Sequence, residues 1–184
     1  TSNVWYATAN DPIYLKCNMM QTLDGIFMPV EKDVRYDRLL RGGGNDTNDI
    51  ALDMEPDGTA ALYRNNSGTL LQAGTIKCFT VGKWHHIALT VDSGGNAVGY
   101  VNGHPVVSTT YTSNYDLGSR GGNMHMRVGV SGITFRKFLT YEVSTYNFHM
   151  SPKQVLQRAA EVGLGPKLEY DGLNTIKILN TEPG

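Results

Sequence analysis

The chain predicts an all-β fold: a two-sheet antiparallel sandwich with one short helix near the C-terminus. Three observations carry this. Ile87, Leu89 and Val91 alternate with His86, Ala88 and Thr90, the period-two pattern of a half-buried strand. Turn signals rich in Gly, Asn and Asp recur at intervals of about 8–12 residues, the spacing that sandwiches and barrels produce. Helix-start chemistry is concentrated in a single stretch, at Ser151-Pro152-Lys153-Gln154.

Length and charge narrow the function. The 184 residues fit one domain, here 1–166, with 167–184 as a C-terminal strand or linker. Sixteen basic against seventeen acidic residues leave a net charge of −1, so the balance favours neither nucleic acid nor an anionic membrane as partner. Apolar runs stay short of the roughly 20 residues that span a bilayer, so membrane insertion is not expected. The chain opens on Thr1 without signal-peptide character and reads as a piece of a larger protein, flanked by other domains. Cys17 and Cys78 leave both a disulfide and two buried free thiols open, with the thiols slightly favoured.

Taken in order, Ile13, Leu15, Cys17 and Met19 alternate with polar residues after the Asn10-Asp11-Pro12 turn, and predict a strand. Asp24-Gly25 reads as punctuation. Pro29 places Ile26–Met28 at an edge or a strand end. Residues 30–40 mix helical and extended signals and are assigned as strand. The loop Gly42–Asp49 leads into a strand over Ile50–Glu55, and Asp57-Gly58 turns the chain into Ala60–Tyr63. Asn65–Gly68 turns it again. Between Gly82 and Val107, the loop Asp92-Ser93-Gly94-Gly95-Asn96 and the Asn102-Gly103 pair predict three consecutive antiparallel strands. Asn-Gly suits a type I′ turn because both of its central residues take φ > 0. A long polar connection follows at Tyr111–Gly122, then strands over Met124–Val130, Ile133–Tyr141 and Val143–Phe148. Ser151 caps the helix, Pro152 suits its first position, Gln154 completes a capping box, and Gly163 with Gly165-Pro166 ends it. Thr175–Leu179 forms a last strand-like run.

The residues that define the central hairpins also resemble a known family. Trp84-His85-x-Ile87-Ala88, then Asp92, then Tyr100-Val101-Asn102-Gly103 are similar to the core of laminin G-like domains, within the concanavalin A-like jelly-roll group. Leu39–Gly43, Ile50–Leu52 and Pro56–Gly58 upstream, and Val143–Val155 downstream, extend the likeness over about Leu39 to Leu164. The resemblance implies a structural hydrogen bond for His85 and a calcium ion at the sandwich rim.

Asp46 and Asp49 in the loop Asn45–Asp49 are the candidate calcium ligands, because hard cations want convergent oxygens; a solvated loop is the competing reading. Long loops on a rigid β scaffold carry binding residues, which makes Tyr111, Asn114, Tyr115 and Arg120 the candidate ligand contacts, with Trp5 a further exposed-ring candidate. Asn45-Asp46-Thr47 and Asn65-Asn66-Ser67 fit the glycosylation acceptor pattern and point to an extracellular, cell-surface or virion-surface setting.

Catalysis finds less support. Ala51-Leu52-Asp53-Met54-Glu55 resembles the E-x-D-x-E strand of laminarinase-type hydrolases, but Ala51 stands where that pattern places the nucleophile. A retaining glycosidase needs two carboxyl groups about 5–5.5 Å apart. Asp53 and Glu55 are therefore read as solvent-side residues alternating with Leu52 and Met54. The five histidines lack zinc spacing, and neither a nucleophile elbow nor a phosphate loop is present. The expected function is non-catalytic recognition of glycan or protein through rim loops. An architectural domain of a viral or cell-surface assembly, or a degenerate glycan-acting enzyme, are the alternatives.

Overall fold

The computed structural model describes residues 22–30, 37–42, 50–64, 69–110, 138–170 and 176–179. Two principal antiparallel sheets face one another, as the alternation predicts. The first is ordered β8-β7-β6-β1-β9, from β1 (Thr22–Pro29), β6 (His85–Val91), β7 (Asn96–Val101), β8 (His104–Thr110) and β9 (Phe138–Tyr146). The second, β2-β3-β4-β5, uses β2 (Asp37–Gly42), β3 (Ile50–Met54), β4 (Thr59–Arg64) and β5 (Thr69–Lys77). A hairpin of β10 (Lys167–Tyr170) and β11 (Ile176–Leu179) pairs the tail's expected strand with one that the sequence did not announce.

The core lies between the two sheets. Leu23 and Phe27 from β1 and Ile87, Leu89 and Val91 from β6 meet Ile50, Leu52 and Met54 from β3 and Leu62 from β4, all buried. Burying side chains of this size contributes about 1.5–3 kcal/mol each.

The expectation of a half-buried β6 is corrected, because all seven of its residues are buried. Its second face is covered by the helix α1 (Pro152–Glu161) and the segment before it, where Ala88 and Tyr100 pack on Met150 and Val155. Asp24-Gly25 is not a turn but lies inside β1, and β1 is an interior strand flanked by β6 and β9. Pro29 is tolerated because it is the last residue of that strand. The break expected before Val143 is absent too, since β9 runs through it.

Local signals fixed the turns. Asn102 and Gly103 have φ of 51° and 83°, as a type I′ turn demands, and Val101 pairs with His104 across it. The capping box is complete: Gln154 N–H donates to Ser151 Oγ, and Ser151 N–H donates to Gln154 Oε1 at 2.9 Å. The strands expected over Ile13–Met19 and Met124–Val130, and residues 31–36, fall outside the described residues.

Candidate functional site

An open groove follows the edge of the sandwich where β5, the last strand of one sheet, passes β8, the last strand of the other. One hollow of about 320 Å³ lies among Gln72, Gly74, Thr75, Pro105, Val106 and Ser108. A second of about 510 Å³ continues it past Gln72 and Ser108 to Asn96, Thr109 and Thr110. The strands come together at Gly74, where an added Cβ would stand 2.7 Å from the Ala60 carbonyl oxygen and 3.0 Å from that of Val106. A larger residue would push the two edges apart.

The polar side chains of this groove are amides and hydroxyls. Gln72, Thr75, Asn96, Ser108 and Thr110 are exposed, and Thr109 is half-buried. Their geometry is anchored at one end by Asp92. Its Oδ1 accepts the backbone N–H groups of Gly94 at 2.8 Å and Asn96 at 2.9 Å, while Oδ2 accepts Asn96 Nδ2 at 2.8 Å. The Asn96 hydrogen bonds hold the Asp92 carboxyl below its ordinary pKa. Asn96 Oδ1 in turn accepts the Thr110 hydroxyl at 3.0 Å, which joins the start of β7 to the end of β8.

The sequence-predicted ligand residues Tyr111, Asn114, Tyr115 and Arg120 lie outside the described residues, as do Asp46, Asp49, Trp5 and both acceptor triplets. Of these, Tyr111 follows Thr110, the groove's last lining residue, directly in the chain. Sequence reasoning missed the groove itself. The only local signal was the hydroxyl run Ser108-Thr109-Thr110 on the exposed end of a strand. Among the described residues, no three His, Cys, Asp or Glu side chains gather as a metal site would require.

The acidic strand is arranged differently from the expectation. Asp53 is fully buried rather than solvent-facing, and Ala51 is buried beside it on β3. Glu55 Oε1 accepts the Tyr63 hydroxyl at 2.7 Å, so this carboxylate is held by a neighbouring strand. His85 does take the structural part that the resemblance implied: the Thr80 N–H donates to its Nε2 at 3.0 Å. Cys78 has a free thiol that burial pushes up to about 11, which leaves it a poor nucleophile; Cys17 is outside the described residues.

A second polar cluster, under α1, was also missed. Asp24 Oδ2 accepts His86 Nε2 and Arg158 Nε, each at 3.1 Å, and Arg158 Nη2 donates to Glu142. Asp24 and His86 are buried. Burial opposes the Arg158 charge, yet Asp24 and Glu142 outweigh it and hold the guanidinium above its ordinary pKa. The enclosure of Asp24 and His86 makes this a clamp for the helix rather than a ligand site.

A family model described as the concanavalin A-like lectin/glucanases superfamily matches residues 27–156. The chain belongs to that superfamily. Among solved structures, this concanavalin A-like domain is similar to the CBM40 of a Ruminococcus gnavus IT-sialidase, bound to alpha2,3 sialyllactose. The TM-score is 0.60 at 14% identity, over 77% of this chain and 83% of that one. It is also similar to Trypanosoma rangeli sialidase in complex with 2,3-difluorosialic acid, with a TM-score of 0.58 at 16% identity over 80% of this chain. The match spans 24% of that sialidase, so the concanavalin A-like domain corresponds to about a quarter of its length. At these identities the likeness establishes the fold. A search of curated proteins found no match.

Proposed function

We propose that this concanavalin A-like domain is a non-catalytic recognition module that binds glycan at the β5–β8 edge and the adjoining loop, within a larger extracellular or surface protein. The observation that carries this reading is the groove: exposed amides and hydroxyls on a rigid strand frame, with volume enough for sugar rings. Such groups replace the hydrogen bonds a sugar makes with water, and their fixed strands limit the ordering cost of binding. The sialyllactose-bound CBM40, similar along most of its length, supports the same reading. Tyr111 and Tyr115 would add ring faces, and Asn114 and Arg120 polar contacts.

The acidic strand favours recognition over hydrolysis. Ala51 leaves the nucleophile position of the laminarinase pattern without a carboxyl group, Asp53 is enclosed, and Glu55 is bound to Tyr63. The test is a glycan array probed with the purified domain, alongside an assay for reducing sugar released from β-glucans. Selective retention without release is expected. Binding to no glycan would sink the proposal, and release abolished by Glu55→Gln would replace it with an enzyme.

A further inference from the structure

From the chemistry of the groove we infer that its ligand is a neutral, hydroxyl-rich glycan segment, held between Gln72 of β5 and Ser108 and Thr110 of β8. This deepens the proposed recognition function and rests on it. Three observations lead there.

The first is charge. Both hollows are lined without a Lys, Arg or His among the described residues, and the nearest described basic residues in sequence, Lys77 and His104, stand beyond the lining on their strands. Against these described residues a carboxylated sugar would lose water around its anion without gaining a counter-charge, which costs far more than desolvating a hydroxyl. The Asp92 carboxylate adds to this, because it lies hydrogen-bonded to Asn96 at the groove's end and meets an approaching anion with like charge.

The second is the kind of polar group present. Amides and hydroxyls both donate and accept, as sugar hydroxyls do, so the groove as a whole can meet a sugar hydroxyl in either sense. The small apolar surfaces between them, Ala73, Pro105 and Val106, suit the C–H faces of pyranose rings.

The third is shape. The two hollows share Gln72 and Ser108 and run on from one another, so the site is elongated and open rather than a closed cup for one terminal residue. An internal stretch of a chain fits such a groove.

The experiment uses the whole chain with immobilised neutral oligosaccharides and their sialylated counterparts, followed by titration calorimetry at low and raised ionic strength. Neutral glycans are expected to bind, with affinity insensitive to salt, since no ion pair is formed. Gln72→Ala and Ser108→Ala should each weaken binding about five- to tenfold, the effect of one lost hydrogen bond. Both residues are exposed, and unchanged melting curves would show that the variants fold. Preference for the sialylated set, or neutral binding untouched by both variants, would overturn the groove assignment while leaving glycan recognition standing. Failure to bind any glycan would remove the recognition function and this inference with it.

Discussion

His85 illustrates how one side chain sets a pH dependence. Its ring is buried, packs edge-to-face on Phe79 with centroids 5.5 Å apart, and accepts the Thr80 N–H at Nε2. Burial lowers its pKa, so the unfolded chain takes up a proton more readily than the native one. Its contribution is complete above about pH 6.5, the unfolded value, and is lost as pH falls through the depressed native pKa. Urea midpoints measured from neutral to mildly acid pH should fall for the native chain. His85→Gln should start lower by about 1 kcal/mol, for the lost hydrogen bond, but show a flatter slope. An unchanged slope would assign the pH loss to other groups. Gly103 makes a second test at this scale. An alanine there keeps φ near 83° and brings its Cβ within 2.9 Å of Leu156 Cδ1 and 3.1 Å of Leu156 Cα, against α1. Gly82 has φ of 78° but nothing within 4 Å. Gly103→Ala should therefore cost about 2 kcal/mol or more and Gly82→Ala about 1 kcal/mol, since only the first adds a steric clash to the left-handed strain. Equal losses in chemical denaturation would remove the helix contact from the explanation. The Asn102-Gly103 turn was legible because its requirement is local. That Gly103 also carries the helix was not, because Leu156 is far along the chain.

Among the elements, α1 joins the sandwich by a device that its own sequence does not advertise. Val155 and Ala159 supply its buried face, and Arg158 reaches β1 and β9 through Asp24 and Glu142. Thr22 strengthens the same junction: its hydroxyl donates to the Phe148 carbonyl at 2.8 Å and accepts the Met150 N–H at 3.0 Å. Removing Arg158 would leave the Asp24 carboxylate enclosed with His86 and without its guanidinium. Arg158→Met should destabilise the fold by about 3 kcal/mol, and Asp24→Asn in the same chain should recover part of the loss. Strictly additive losses in the double-mutant cycle would show that the two side chains are not coupled. Helix caps and hairpin turns are legible because each is written within a few residues; Asp24 and Arg158 are 134 positions apart, and nothing near either announces the other. Strand β5 escaped for a different reason. Lying at an edge, it exposes Leu70 and Ile76 as well as polar neighbours, so it lacks the alternation of a strand with one buried face.

At the scale of the molecule, the sandwich was readable because alternation, turn spacing and the family likeness agreed, whereas the groove arises only when Gln72 and Ser108 are brought together by the two sheet edges. The stretches around Asp46 and Tyr115 are candidates for the opposite reason, since their composition stands out without any fold, and they lie outside the described residues. Calcium is the expectation that those loops leave to experiment. It rests on Asp46 and Asp49, at the β2–β3 connection, and on the oxygen-rich chemistry hard cations require. An ion that binds only the native chain stabilises it by about 2.7 kcal/mol at a hundredfold excess over its dissociation constant. For a domain of this length that amounts to a rise in melting temperature of several degrees, about 5–10 °C. The native chain should melt higher in calcium than in chelator, and a chain with Asp46→Asn and Asp49→Asn should melt alike in both. Superimposable curves for the native chain would remove calcium from the account. Neutral-glycan binding through Gln72, Ser108 and Thr110 should then persist in chelator.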